Sequence, residues 1–328
     1  MNKKNIAIVY GGYSSEEVVS QKSAQGILSF IDKDKFNVYP LLILKDKWVV
    51  KHNNNDYQVN KSDFSVLIAN NIIKFDFAYI TIHGTPGEDG VLQGYLKMLN
   101  IPHSTCDVLA SALTFNKYVC NNYLSNFGIN IARADLVRKD IAYNIEDIAR
   151  NTGFPCFVKP NAGGSSFGVS KVRKIEDLKP AIEKAFTESS EVIIEQFIDG
   201  TEVTCGLYKT QNKTEILPLT EIVSKNEFFD YEAKYTPEMV TEITPARISK
   251  ELTTKIQNTS SFIYDLLNCK GIVRIDYIIS NNKPFLLEIN TTPGMTPTSF
   301  IPQQIKAKKL EIKNVFSEII EDAIDQNE

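Results

Sequence analysis

The densest chemistry in this 328-residue chain sits toward its carboxyl end, in residues 272–280 and 285–290, joined by Asn281, Asn282, Lys283 and Pro284. A strand period of two puts Arg274 and Asp276 on one face of the first segment, and Glu288 and Asn290 on one face of the second. If the hairpin folds about Asn282, Asp276 lies opposite Glu288, because 276 and 288 average to 282. Opposed carboxylates repel unless a cation lies between them. Hard oxygen donors beside an Asn amide suit Mg2+, which also takes phosphate oxygens and water. The plainer alternative is a solvated face of spaced charges. It is weakened by the apolar residues on both sides of the acids, Ile-Asp-Tyr-Ile-Ile and Phe-Leu-Leu-Glu-Ile-Asn.

A second group runs Phe157, Val158, Lys159, Pro160, then Gly163, Gly164, Ser165, Ser166, Phe167 and Gly168. Gly163 and Gly168 have the spacing of a Walker A loop, but Val169 stands where its lysine belongs, which disfavours a P-loop NTPase. A Gly/Ser turn still offers N–H groups to phosphate, with Lys159 at a strand end to supply charge; otherwise it is a surface turn beside a solvated lysine. Near the amino end, Gly11, Gly12, Ser14 and Glu16 lack the Gly-x-Gly-x-x-Gly of a dinucleotide fold, so NAD is not expected. Glu16 either complements a helix dipole or receives a substrate ammonium at the sheet's carboxyl edge. His83, Gly84, Gly87, Glu88, Asp89 and Gly90 form a tight loop after another strand, where a lone histidine is more often structural. Lys117, Glu195, Gln196, Phe197, Ile198 and Glu202 are ordinary one by one and gain weight only together.

These residues need a scaffold. Residues 5–10 read as a buried strand ending at a Gly pair, and Ser14 with Glu17 has the capping-box form that starts a helix through Ala24, Ile27, Leu28 and Ile31. Strands at 38–44 and 77–82, a hairpin-like excursion at 53–55 and a helix through Val91 and Leu99 give an α/β unit with a mostly parallel sheet. Helical segments follow at 110–127, a strand at 156–159 and a helix through Ile182 and Phe186; then strands dominate, at 192–198, 203–209, 215–223, 272–280 and 285–290. The class is therefore α/β, becoming α+β in the carboxy-terminal half, and residues 312–323 close it as an amphipathic helix. Residues 224–245 are polar, aromatic-dotted and without a period, which at that length suggests a functional lid. There Lys234 could carry a cation to a phosphate while aromatics exclude water. Pro293, Gly294 and Met295 place a glycine N–H where it could approach an oxyanion, and Ser299 follows, on its plainer reading an N-cap.

Composition bounds the rest. At 43% hydrophobic and 23% charged, with net charge -4 and no run of like charges, the chain has no signature of nucleic-acid or anionic-membrane binding. Five scattered cysteines without a Cys-x-x-Cys pair argue against a disulfide framework or structural zinc. The run from Ile6 to Tyr10 is too short for a signal peptide, and no stretch reaches a membrane span, so a cytoplasmic location is expected.

In order, these pieces resemble the D-alanine:D-alanine ligases of the ATP-grasp superfamily over essentially the whole length. The match rests on Gly11-Gly12-x-Ser14-x-Glu16, His83-Gly84-x-x-Gly87-Glu88-Asp89-Gly90, Val158-Lys159-Pro160 with Gly164-Ser165-Ser166, Tyr231-Glu232-Ala233-Lys234-Tyr235, Arg274-Ile275-Asp276, Glu288-Ile289-Asn290-Thr291 and Pro293-Gly294-Met295-Thr296. The resemblance implies a three-domain ATP-grasp fold with an N-terminal parallel-sheet domain, divided at 1–104, 105–199 and 200–328, and a homodimer. It implies ATP and D-alanine as ligands, with Mg2+ or Mn2+, two ions, held by Asp276, Glu288 and Asn290. Lys117, Lys159 and the lid's Lys234 look like phosphate contacts, Glu195 through Ile198 the adenine strand, and Glu202 the ribose acid. Glu16 resembles the ammonium anchor, with Ser165 and Tyr235 as its hydrogen-bonding partners and His83 at the substrate. Arg274 and the Gly294 N–H resemble the groups that stabilise the tetrahedral intermediate, and Ser299 the contact to the second carboxylate. Glu17, Gln196, Phe197 and the neutral turn Asn161-Ala162-Gly163 depart from the pattern of some members. The competing expectations are a depsipeptide ligase joining D-alanine to D-lactate, and a nucleotide-binding regulator without turnover.

Overall fold

The computed structural model describes residues 3–164, 168–224 and 240–327. Its first sheet is built on β1 (Lys4–Gly11), with side chains buried on both faces: Ile6, Ile8 and Tyr10 enter one core, and Ala7 and Val9 another. β1 pairs in parallel with β2 (Phe36–Ile43) and β7 (Phe77–Ile80), and α1 (Glu17–Phe30) links β1 to β2. The expected mostly parallel sheet needs correction. Beyond β2 the sheet continues antiparallel through β3 (Trp48–His52), β4 (Asn55–Asn60), β5 (Ser65–Ile68) and β6 (Asn71–Ile73), in the order β6-β5-β4-β3-β2-β1-β7. The reason is local. Asn53–Asn54 and Ala69–Asn70 take positive φ (48° and 61°, 47° and 66°), making two-residue turns that can join only antiparallel strands.

The capping box at Ser14 and Glu17 does not form either. Glu16 occupies the N-cap of α1 without a side-chain cap bond; Ser14 Oγ accepts from Glu16 N–H (3.3 Å) and donates to the His83 carbonyl (3.1 Å). The hydroxyl therefore ties the start of α1 to the loop after β7. α2 (Val91–Met98) buries Leu92 and Leu96 in the core that holds Ala7 and Val9.

The expected helical stretch 110–127 is two helices, α3 (Val108–Phe115) and α4 (Lys117–Ser125), separated at Asn116, whose side chain caps α4 by accepting from Val119 N–H. The second sheet is antiparallel, ordered β10-β9-β11-β8, from β8 (Ala134–Arg138), β9 (Cys156–Pro160), β10 (Ser170–Val172) and β11 (Glu191–Gln196). α5 (Ile145–Thr152) and α6 (Leu178–Ala185) share its core through Ile148, Leu178 and Ile182.

The third sheet runs β15-β14-β12-β16-β17, with β13 also paired to β12. Its strands are β12 (Thr201–Thr210), β13 (Lys213–Ile216), β14 (Thr220–Ser224), β15 (Val240–Ile243), β16 (Val273–Ser280) and β17 (Lys283–Asn290). The single strand expected at 215–223 divides because Pro218 has no N–H: β13 pairs with the distal part of β12 and β14 with its proximal part. The ends of the expected lid are paired strands, β14 with β15, and residues 225–239 lie outside the described residues. α7 (Lys250–Leu266) was not anticipated, and α8 (Phe300–Ala307) only through the reading of Ser299 as an N-cap. The signal for α7 was present: Ser249 caps it, and Leu252, Ile256, Ser260, Ile263 and Tyr264 are its buried stripe. α9 (Ile312–Asp325) returns to the first sheet, where Phe316 stacks on Tyr79 with ring centroids 5.2 Å apart. All five cysteines are free and buried.

Candidate active site

A cleft of 1560 Å3 is walled by residues from all three sheets. Every described residue nominated from the sequence lines it. Ser165, Lys234 and Tyr235 lie outside the described residues, with most of the expected lid.

One wall comes from the second sheet. Lys159 on β9 lies diagonally across from Glu195 on β11, and their Nζ and Oε2 are 2.6 Å apart, both largely buried. Lys117, the first residue of α4, donates from Nζ to the Gly163 carbonyl (2.6 Å) and stands 3.6 Å from Glu288 Oε2. The Lys117 ammonium is thus held at the 161–164 turn and that of Lys159 against Glu195. Phe197 packs its ring 5.9 Å from that of Phe157, and Lys171 Nζ lies 3.9 Å over the Phe197 ring. That aromatic wall answers the departure at Phe197, although Phe157 and Lys171 were not singled out for this role. Gln196 lines the cleft while its Oε1 accepts from Arg133 Nε (3.1 Å). Ile198 and Glu202 continue the wall where β11 passes into β12.

The floor is the β16–β17 hairpin. Asp276 does lie opposite Glu288, but not because the hairpin folds about Asn282. Asn281 and Asn282 (φ 50° and 58°) form a two-residue turn with Ser280 opposite Lys283, and that symmetry alone would place Leu287 opposite Asp276. A bulge at Asp276/Tyr277 inserts one extra residue on β17 and brings Glu288 across instead. Arg274 grips Asp276 with Nε to Oδ1 (2.9 Å) and a terminal nitrogen to Oδ2 (2.7 Å). Thr204 Oγ1 donates to Asp276 Oδ1 (2.6 Å) and Asn290 Nδ2 to Oδ2 (3.1 Å). Burial opposes the Arg274 charge, but Asp276, then Glu288 and Glu202, outweigh it and hold the guanidinium well above its usual pKa. Side-chain cations, Arg274 and Lys117, therefore stand beside the opposed carboxylates. Among the described residues no cluster of three His, Cys, Asp or Glu side chains forms a protein cage. Two carboxylates with an Asn amide, open to the cleft, are the partial oxygen set that fits Mg2+ completed by phosphate and water.

The third wall is the carboxyl edge of the first sheet. Gly11 and Gly12 (φ 105° and 112°) turn the chain after β1, where a Cβ on Gly11 would collide with the Ile43 carbonyl. Glu16 follows, buried, and a Cβ on Gly164 would meet its Oε1 at 2.8 Å, so the 161–164 turn lies against this acid. Glu88 is the site residue that sequence reasoning passed over, although its loop was noticed. It accepts from Gly84 N–H (2.7 Å) and from Thr292 Oγ1 (2.5 Å) across the cleft. Burial first, and the Glu16 charge second, push its pKa up to about 7. His83 pairs through Nε2 with Ser23 Oγ (3.2 Å), and burial, aided by the Arg274 charge, lowers its pKa to about 4, leaving it neutral at pH 7. Ser23 Oγ also accepts from Met295 N–H (3.4 Å), which anchors the 293–296 loop and its Gly294 on α1. Ser299 stands at the N-cap of α8, yet its hydroxyl makes no cap bond; it accepts from Thr296 N–H (3.0 Å).

Models of D-Ala D-Ala ligase N-terminus and C-terminus match residues 5–106 and 123–321. A D-alanine–D-alanine ligase of Parabacteroides distasonis is 57% identical over 324 residues, covering 98% of each chain. Among solved structures, a D-Ala:D-Ser ligase from Enterococcus faecalis superposes with a TM-score of 0.85 at 32% identity, over 98% of this chain and 99% of that one. A D-alanine–D-alanine ligase from Bacillus anthracis in complex with ATP gives 0.79 at 30% identity, over 100% and 99%. With Glu16, the two lysines and the carboxylate hairpin brought to one cleft, both family models matched in order and a full-length relative at 57% identity, the chain belongs to the D-alanine–D-alanine ligase family.

Proposed function

We propose that the chain joins two molecules of D-alanine in an ATP-dependent, ADP-forming reaction. The observation that carries this reading is the contact of Gly164 with Glu16, because it brings the nucleotide wall and the ammonium pocket to a common point. Glu16 holds the ammonium of the first D-alanine, with Ser165 and Tyr235 as partners and His83 as a neutral neighbour. A carboxylate oxygen of that molecule attacks the γ-phosphorus of ATP, ADP leaves, and an acyl phosphate forms. The amine of the second D-alanine attacks the acyl carbon and loses its proton; phosphate leaves with the C–O bond electrons.

Lys117, Lys159 and Lys234 offset charge on the phosphates, Glu195 through Ile198 receive the adenine and Glu202 the ribose. Arg274 and the Gly294 N–H face the oxyanion of the tetrahedral intermediate, and Ser299 binds the acceptor carboxylate. Mg2+ or Mn2+, two ions in this reading, would be held by Asp276, Glu288 and Asn290 and would supply charge neutralisation at the triphosphate. Residues 224–245 act as the lid that keeps water from the acyl phosphate.

The test is phosphate release with D-alanine alone, then with D-lactate or D-serine added, and identification of the products. Release giving D-alanyl-D-alanine supports the reading; a mixed depsipeptide as main product would replace it with the D-lactate ligase, and binding without turnover with the regulator. Glu288→Gln removes a ligand charge at constant shape and should lower kcat by at least about 100-fold with the fold intact; full activity at ordinary Mg2+ would remove Glu288 from the metal set.

Three coarser assignments accompany this reading: division at 1–104, 105–199 and 200–328, a homodimer, and a cytoplasmic location. Among the described residues no helix is long and apolar enough to cross a membrane. Limited proteolysis tests the division and sedimentation the dimer.

A further inference from the structure

Asn161 is fully buried two residues after Lys159, yet its amide belongs to a different element, the start of α4. A helix begins with backbone N–H groups that lack an intrahelical partner. In α4 the first of these, on Lys117, donates to the Asn161 carbonyl (3.2 Å), and the second, on Tyr118, to Asn161 Oδ1 (2.9 Å). The third, on Val119, goes to Asn116 Oδ1 (3.0 Å), which itself accepts from Asn161 Nδ2 (2.9 Å). The other Nδ2 proton goes to Glu191 Oε2 (2.8 Å), while Asn161 N–H donates to the Glu191 carbonyl (2.9 Å). Glu191 is oriented in turn by Arg138 Nε, 2.7 Å from its Oε1.

We infer that Asn161 is a positioning residue for ATP: by capping α4 from β9's end, it sets Lys117 and Lys159 at a fixed separation before the phosphates arrive. The inference rests on the reading that these two lysines contact the phosphates. Pre-set cations lose no orientation freedom on binding, so the effect belongs to nucleotide affinity and not to the amino-acid pocket. Neither chemistry nor charge enters: Asn161 is neutral and acts only through the two ammonium groups it places.

The experiment measures MgATP affinity by calorimetry and the KM values for ATP and D-alanine in five proteins besides wild type. Lys117→Ala and Lys159→Ala test the underlying reading; unchanged ATP affinity in both would overturn it whatever Asn161 does. Asn161→Ala should weaken ATP binding about tenfold or more, as expected for orphaned buried partners, with the D-alanine KM within about twofold. Asn161→Asp loses the Nδ2 donor and sets a carboxylate against Glu191, so it should bind ATP at least as poorly. Adding Glu191→Gln returns a donor to that contact, though not to Asn116 Oδ1, and should restore affinity at least about threefold over the Asp variant. Weakened ATP binding in the lysine variants but not in Asn161→Ala overturns the inference. If Asn161→Ala does not fold, the Asp variants decide: rescue by Glu191→Gln supports it, and equal ATP affinity in the single and double variants overturns it.

Discussion

Two buried side chains at the carboxyl edge of the first sheet load the protein's pH dependence in opposite directions. Glu88, with its pKa raised to about 7, binds more protons folded than unfolded between the ordinary carboxyl value of 4.5 and 7, so its ionisation erodes stability as pH rises through that window. His83, lowered to about 4, binds fewer protons folded than unfolded between 4 and 6.5, so its contribution is lost as pH falls through that window. Glu88→Gln should therefore lose less Tm than wild type between pH 5 and 8, while His83→Gln should lose less than wild type on acidification from pH 6.5 to 4. Thermal melts across that range check both. Curves for Glu88→Gln that run parallel to wild type would mean the Glu88 charge is compensated by neighbours such as Lys117 and the Thr292 hydroxyl. Glu88 is legible in the sequence as a motif member, but its repulsion by Glu16 and its hydrogen bond from Thr292 join residues far apart in the chain.

At the scale of elements, the β16–β17 hairpin turns on two consecutive residues in the left-handed region. Asparagine tolerates that region and glycine favours it, whereas a Cβ-bearing alkyl residue is strained there by about 1–2 kcal/mol. Asn282 has φ 58°, so Asn282→Gly should leave stability nearly unchanged, and Asn282→Val should lower it by at least about 1 kcal/mol in urea unfolding. The Val variant should also weaken Mg2+-dependent ATP binding if the turn's register is what keeps Asp276 and Glu288 facing each other; an unaltered affinity would assign that register to the bulge alone. Strand periodicity found the two strands and their acids. It could not find the bulge, because one inserted residue leaves no mark in an apolar run such as Phe285-Leu286-Leu287.

At the scale of the molecule, the first and last elements share one core. Ile6 and Ile8 of β1, Ile27 of α1, Met295 and Ile301 from the site side, and Phe316 and Ile320 of α9 form a single buried cluster. Phe316 is fully buried between Tyr79 and Phe30, so Phe316→Ala should cost about 3–5 kcal/mol. Because Met295 and its loop rest on α1, the same change should raise the KM for D-alanine more than that for ATP. Chemical denaturation with steady-state kinetics checks both; a stability loss with both KM values unmoved would confine α9 to a scaffold role.

What the sequence determined by itself follows from properties that travel with a short stretch of chain. Residue type and spacing located the acids at 276 and 288, the Gly-rich turn after β9, the buried β1 and the amphipathic end helix, since each depends on periodicity or on a side chain's own chemistry. The departures came where a local preference met a distant partner. Ser14 gave up its capping role to the His83 carbonyl, the helical run at 110–127 broke at Asn116, and the parallel sheet continued antiparallel through tight Asn turns. Only the tertiary structure decided that Glu16 lies against Gly164, that Lys159 is paired with Glu195, and that Asn161 caps a helix begun some forty residues earlier. Such contacts form when chain segments with no local information about each other are brought together by burial of apolar surface, which is non-directional and leaves the polar pairs to be selected by shape and hydrogen-bond satisfaction once the core has closed.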